Sequence, residues 1–81
     1  MNSFYSSKEL SRLGLASIGS NVLISRHAHI YGASKISVGS NVRIDDFCIL
    51  SGGNGISIGN YIHIAAYSSL YGEGEIIMED F

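Results

Sequence analysis

Residues 38–58 read VGSNVRIDDFCILSGGNGISI and contain the clearest regularity in the chain. Aliphatic residues stand six apart at Val38, Ile44 and Leu50, and the next one, Ile58, follows eight residues later. The residue two positions before each of the last three is also apolar, which is the period-two pattern of short strands with one buried face. This spacing predicts three short strands and one enlarged corner in each turn of the chain.

The same turn is repeated before and after this stretch. Successive blocks of 20 residues from Ile18 read IGSNVLISRHAHIYGASKIS, VGSNVRIDDFCILSGGNGIS and IGNYIHIAAYSSLYGEGEII, and MEDF follows. Aliphatic residues and glycines recur in register through all three blocks, so each block is interpreted as one coil of a solenoid. We therefore predict an all-β fold, a prism of parallel strand ladders whose coils stack about 4.8 Å apart.

Composition restricts the possible partners. The chain has 81 residues, a formal net charge of −2 and only five Lys and Arg, so it lacks the basic stripe that binds nucleic acid. No run approaches the roughly 20 apolar residues of a membrane span, and the opening MNSFYSSKELSRLG lacks the apolar run of a secretory signal. We expect a cytoplasmic protein, and the single cysteine agrees with a reducing compartment.

The segment before the first coil has the signals of a short helix. Ser6 and Glu9 have the spacing of a capping box, Leu10 and Leu13 share one helical face, and Gly14 suits the C-terminal end. We predict an N-terminal segment, residues 1–17, whose capping helix covers the top of the prism together with the aromatic residues Phe4 and Tyr5. We expect residues 18–81 to form the β-helix and to be truncated early in a fourth coil.

The hexads VGSNVR, IDDFCI, IGNYIH and IAAYSS, with the opening FYSSKELSRLG, resemble the N-terminal portion of the hexapeptide-repeat O-acetyltransferases. The resemblance spans nearly the whole chain and implies a left-handed parallel β-helix of three 20-residue coils. It also implies homotrimers that transfer acetyl from acetyl-CoA, held between two prisms, to a sugar or antibiotic hydroxyl. In this family a histidine is the general base, and no metal is required.

His63 is the candidate for that base because it faces outward on the middle strand of the last coil. The simpler alternative is a solvated residue stacked on Arg43, and no orienting carboxylate is assignable from the sequence. His27 and His29 lie in the first coil near Arg26 and are expected to be ordinary surface residues. The histidines form no evident metal-ligand pattern.

Three other polar or reactive residues are assigned structural roles. Cys48 takes an inward position and is expected to be buried and unreactive. Arg26 and Asp46 occupy equivalent positions in adjacent coils and are predicted to pair along the ladder. Asp45 and Asp46 are adjacent at a corner, where their side chains should diverge, so they are not expected to act as an acid and base pair.

Aromatic residues fall into two outward columns. His27, Phe47 and Tyr67 form the first, and Tyr31 and Tyr71 form the second. They are interpreted either as simple stacking along the solenoid or as a subunit contact.

Two functions of different class follow. The first is an acetyltransferase module that uses His63, acetyl-CoA and a hydroxyl acceptor, with an active site that we expect to be incomplete in this chain. The second is a non-catalytic self-assembling scaffold or fragment, in which the uncapped strand edge after Ile77 pairs with another copy to form a dimer.

Overall fold

The structure, a computed structural model, describes residues 3–80. This part of the chain contains one short helix, one 3₁₀ turn at Ala33–Lys35 and ten strands. The helix is α1, Ser7–Leu10, and the strands are β1, Ser17–Ile18; β2, Val22–Ile24; β3, His29–Tyr31; β4, Ile36–Val38; β5, Val42–Ile44; β6, Ile49–Ser51; β7, Ile56–Ile58; β8, His63–Ile64; β9, Ser69–Tyr71; and β10, Ile76–Met78.

The strands form the three faces of a prism. The first sheet has the order β1-β4-β7-β10, the second β2-β5-β8 and the third β3-β6-β9. All pairs are parallel, and paired residues are 20 positions apart, as in Ile24 with Ile44 and Ile44 with Ile64. The predicted all-β solenoid with a 20-residue coil is therefore confirmed.

The interior is filled by columns of aliphatic side chains that alternate with outward residues along each short strand. Ile24, Ile36, Ile44 and Leu50 are fully buried, as is Cys48. Burial of each large aliphatic side chain contributes about 1.5–3 kcal/mol. The core becomes thinner in the last coil, where the inward residues Ile62, Leu70, Ile76 and Met78 are only partly buried.

One corner of the prism is held by polar side chains that bond from coil to coil. The amide of Ser20 donates to Ser40 Oγ at 3.0 Å, and the amide of Ser40 donates to Asn60 Oδ1 at 2.7 Å. The amide of Asn60 in turn donates to Asp80 Oδ1 at 2.8 Å, which holds the pKa of Asp80 below its usual range. In this corner ladder, each coil supplies the acceptor for a backbone group of the coil before it.

The predicted capping helix is present and is one turn long. The amide of Glu9 donates to Ser6 Oγ at 3.2 Å, and the amide of Ser6 donates to Glu9 Oε1 at 2.9 Å, which completes the capping box. Leu10 is buried against the first coil, and Leu13, which follows the helix, packs against the core. No helix within residues 3–80 is both long and apolar enough to cross a membrane.

An N-terminal arm, residues 3–5, runs along the top edge of the first coil. The amide of Tyr5 donates to the carbonyl of Ile24 at 2.9 Å, and the amide of Arg26 donates to the carbonyl of Ser3 at 2.8 Å. Phe4 lies opposite Ser25 in an antiparallel bridge. The arm therefore satisfies backbone groups that would otherwise form an open strand edge.

Candidate functional site

His63 lies on the outward face of the second sheet. Strand β8 places it directly beside Arg43 of β5, and the same column continues upward to Leu23 of β2. Its side chain is 58% exposed, so the imidazole is accessible to solvent.

A carboxylate orients this histidine. Asp45 Oδ2 lies 2.7 Å from His63 Nε2, and Asp45 Oδ1 accepts a hydrogen bond from Arg43 Nε, also at 2.7 Å. The hydrogen bond to His63, and then the one to Arg43, lower the pKa of Asp45. Both oxygens of this carboxylate are therefore used, one on each neighbour.

The ionised carboxylate fixes the tautomer of the neutral imidazole. A carboxyl group with a lowered pKa is deprotonated near neutral pH and can only accept hydrogen bonds. His63 Nε2 must therefore carry the proton that it donates to Asp45, which leaves the lone pair on Nδ1. The group that can accept a proton from a substrate is Nδ1.

The sequence reasoning placed His63 on the outer surface but did not predict that Asp45 bonds it. Asp45 stands two positions after Arg43, and Arg43 is in register with His63. If the outward alternation of β5 is continued one residue into the corner, Asp45 falls on the same face as Arg43 and diagonally beside His63. This extension of the strand pattern is the feature of the sequence that could have predicted Asp45 as the partner of His63.

The two adjacent aspartates diverge as expected. Asp45 bonds Arg43 and His63, whereas Asp46 accepts a hydrogen bond from the hydroxyl of Ser25. Ser25 is fully buried, and its oxygen also accepts from the amide of His27 at 3.0 Å. Asp46 therefore has a structural role, because it bonds the buried hydroxyl of Ser25 in the coil above.

The predicted pair between Arg26 and Asp46 is wrong. Arg26 Nη1 and Nη2 instead donate to the two carboxylate oxygens of Glu9 at 2.5 and 2.6 Å. The capping helix brings Glu9 over the top of the first coil, and Asp46 is already engaged by Ser25. Because Arg26 and then the capping box bond the Glu9 carboxylate, its pKa falls to about 2.

A groove of about 310 Å³ lies beside Asp45, the residue that bonds His63. Its lining consists of Ser3, Phe4, Arg43, Asp45, Asp46 and Ala66. A larger groove, about 600 Å³, separates α1 from the first coil, but its lining contains no His, Asp, Glu, Lys or Arg. The smaller groove is therefore the one that combines concave shape with groups able to bind charge and move protons.

The other candidate residues take structural roles. Cys48 is fully buried and its thiol donates to the carbonyl of Ala65 at 3.1 Å, as its inward position predicted. His29 stacks on Tyr31 with ring centroids 6.4 Å apart. Among residues 3–80, no group of three or more His, Cys, Asp or Glu side chains is placed to hold a metal ion.

The first aromatic column is present on the surface. The centroids of His27 and Phe47 are 5.9 Å apart, and those of Phe47 and Tyr67 are 5.3 Å apart. Phe47 is 48% exposed and Tyr67 is 77% exposed. The second column is interrupted, because Ser51 lies between Tyr31 and Tyr71 in the third sheet.

Solved structures provide the informative comparison. A scan of protein-family models and a search of curated proteins both return no match. AntD, an N-acyltransferase from Bacillus cereus in complex with dTDP and 3-hydroxybutyryl-CoA, is 61% identical to this chain with a TM-score of 0.94. That alignment covers 100% of this chain and 43% of AntD. Over its whole length the chain is therefore similar to the left-handed β-helix portion of this N-acyltransferase.

Other AntD structures give the same result. A variant of AntD in complex with dTDP-4-amino-4,6-dideoxyglucose and coenzyme A is 61% identical with a TM-score of 0.86 over 98% of this chain and 41% of its own. The predicted left-handed hexapeptide-repeat fold is confirmed by these relatives. This chain spans less than half the length of AntD in each of these structures. AntD is an N-acyltransferase.

Proposed function

We propose that this protein is a coenzyme A-dependent acyltransferase module that acylates the amino group of a nucleotide-linked sugar. The observation that carries the proposal is the 61% identity, over the whole chain, with an N-acyltransferase whose complexes contain coenzyme A, an acyl-CoA and a dTDP-linked amino sugar. The sequence led us to expect acetyl-CoA as the donor and a hydroxyl as the acceptor. These two are the alternatives with which the proposed donor and acceptor are compared.

His63 and Asp45 supply the proton chemistry of the proposed reaction. The acceptor nitrogen attacks the thioester carbonyl carbon, so a C–N bond forms and the C–S bond breaks with the electron pair leaving on sulfur. The proton lost by the nitrogen passes to His63 Nδ1 and then to the thiolate, which leaves as the free thiol. Asp45 stabilises the transient imidazolium through Nε2, 2.7 Å away.

The test measures thiol release from acyl-CoA by the full chain. The donors are acetyl-CoA and 3-hydroxybutyryl-CoA, and the acceptors are dTDP-4-amino-4,6-dideoxyglucose and dTDP-glucose, which carries a hydroxyl at the same carbon. We expect release that depends on the amino sugar. If the chain transfers the acyl group to neither acceptor, the proposal is contradicted. If the chain prefers the hydroxyl of dTDP-glucose, the acceptor group is a hydroxyl and not an amine.

Substitution of the base separates its role from that of the scaffold. We expect His63→Gln to lower kcat about 10²–10⁴-fold, the usual contribution of a positioned general base. His29→Gln is the matched control because His29, like His63, is an exposed histidine that begins a strand at the edge of its sheet, but it stacks on Tyr31. Equal rates for the two variants would remove His63 from the mechanism.

We also propose that the chain self-associates. The support is the column of Phe47 and Tyr67, whose exposed aromatic surface is of the kind enriched at subunit contacts. Sedimentation distinguishes a trimer, implied by the family, from a dimer joined through strand edges. A monomer at micromolar concentration contradicts the proposal for either assembly.

A further inference from the structure

Two aromatic residues of the N-terminal arm each cover an arginine. Arg43 Cζ lies 5.3 Å from the ring centroid of Phe4, and Arg26 Cζ lies 5.5 Å from that of Tyr5. Both distances are within the range of a cation–π interaction. The arm is therefore fixed to the prism by two similar contacts, one from each of its aromatic side chains.

The two arginines bond different carboxylates. Arg26 donates to Glu9, so the contact of Tyr5 ends in the capping helix. Arg43 donates through Nε to Asp45 Oδ1, and Asp45 Oδ2 accepts from His63 Nε2. Only the Phe4 contact continues to the candidate base.

The Phe4 contact further restricts a long, partly exposed side chain that Asp45 bonds at Nε. The Arg43 side chain is 54% exposed, and an exposed arginine samples many rotamers. The Phe4 ring on one side and the Asp45 carboxylate on the other hold its guanidinium in one arrangement. Because Arg43 occupies Oδ1, the carboxylate presents Oδ2 to the imidazole.

We propose that Phe4 and Arg43 are positioning residues that hold Asp45 in the orientation which keeps the proton of His63 on Nε2 and presents Nδ1 to the acceptor. The proposal rests on the proposed function, in which His63 is the base. It makes the N-terminal arm, ahead of the first coil, part of the site.

The first readout is spectroscopic and needs no activity. The ¹⁵N shifts of a neutral imidazole distinguish the nitrogen that carries the proton from the one that carries the lone pair. In the full chain, with the His63 signals assigned by their loss in His63→Gln, we expect a protonated Nε2 and an unprotonated Nδ1. Phe4→Leu and Arg43→Lys should shift His63 towards a mixture of tautomers.

Tyr5→Leu is the matched control. It removes the neighbouring aromatic ring and its cation–π contact from the same arm, but that contact leads to Arg26 and Glu9 and not to His63. The His63 nitrogen signals should therefore be unchanged in Tyr5→Leu. Phe4→Trp keeps an aromatic face over Arg43 and should restore the original signals.

The second readout is kinetic. We expect Phe4→Leu to lower kcat of acyl transfer by about 3–10-fold with little change in KM for the donor, because orientation of the base is lost and donor binding is not. Tyr5→Leu should keep kcat. Should Phe4→Leu unfold, as judged by circular dichroism, Arg43→Lys decides, because the backbone hydrogen bonds of Ser3 and Tyr5 still hold the arm on the first coil.

The outcomes separate this proposal from the proposed function. An unchanged His63 nitrogen pattern in folded Phe4→Leu and Arg43→Lys, or equal effects of Phe4→Leu and Tyr5→Leu, overturns the positioning role. Absence of transfer by the unsubstituted chain overturns the proposed function, whereas the nitrogen pattern still reports whether Phe4 and Arg43 orient His63.

Discussion

Gly39 lies where two successive coils approach with no room for a side chain between them. A Cβ atom on Gly39 would be 2.7 Å from the carbonyl oxygen of Gly59 and 2.8 Å from its carbonyl carbon. Both are backbone atoms of the residue that directly follows β7 and whose amide donates to the carbonyl of Met78, so neither can move away without disturbing the stacking of the coils. The glycine repeat in the sequence therefore marks the spacing of the coils.

Gly39→Ala should destabilise the chain by about 1–3 kcal/mol, the usual cost of forcing a methyl group into a packed site. Gly74→Ala is the matched control, since a Cβ at Gly74 would have nothing within 4 Å. Urea denaturation followed by circular dichroism gives both free energies of unfolding. Equal midpoints for the two variants would show that the coils can separate to admit the methyl group.

Single residues also show which parts of the site the sequence could reveal. The outward position of His63 was predictable because the repeat fixes which side chains face outward. The Asp45 partner was missed because it stands in a corner, where side-chain direction depends on local backbone geometry. In the same way, Phe47 and Tyr67 have φ values of 61° and 66°, a left-handed conformation that no propensity of aromatic residues predicts.

The capping helix is attached to the prism by an ion pair that responds to pH. Glu9 bonds Arg26 and the amide of Ser6, which lowers its pKa from the ordinary 4.5 to about 2. These bonds exist only in the folded chain. Their contribution to stability is therefore complete above about pH 4.5 and is lost as the pH falls towards about 2.

We expect acid to release α1 and the arm in this range. The amide signals of Leu10 and Arg26, followed by NMR during an acid titration, should change together as the pH falls from 4.5 to about 2. Glu9→Gln should remove this transition, whereas Glu79→Gln, a change at an exposed carboxylate that follows the last coil, should retain it. A transition that survives in Glu9→Gln would assign the acid response to another group.

At this scale the sequence predicted the helix and its place over the top of the prism, but not the ion pair that holds it there. The capping box is a local pattern, so Ser6 and Glu9 were sufficient to predict it. The pair between Glu9 and Arg26 joins a segment outside the repeat to one inside it. Periodicity contains no information on such a contact, and this is why Arg26 was assigned to Asp46 instead.

The whole molecule is held together by contacts between neighbouring coils. Strands of the second coil, β4, β5 and β6, are paired on both sides, whereas β8 and β9 of the third coil end their sheets in the described chain. A solenoid of this type opens from its least paired end. The fold was predictable from the sequence for the same reason, because every coil repeats one set of neighbour contacts.

Native-state hydrogen exchange should therefore be graded along the prism. We expect the amides of Arg43 and Asp45, which donate to the third coil at 2.9 and 3.0 Å, to be among the slowest to exchange. The amides of β8 and β9 should exchange faster by about 10-fold or more, equivalent to at least about 1.4 kcal/mol of local opening. Uniform protection across the three coils would indicate that the whole prism opens as one unit.

The corner ladder of Ser20, Ser40, Asn60 and Asp80 makes the coil an interchangeable unit. Each coil brings the acceptor that its predecessor needs and leaves one amide for its successor to bond. A second copy of residues 39–58 inserted after Ile58 would therefore find every bond already provided, with Ser and Asn side chains in the same places. The prism can thus be lengthened by duplication in steps of about 4.8 Å without new contacts having to evolve.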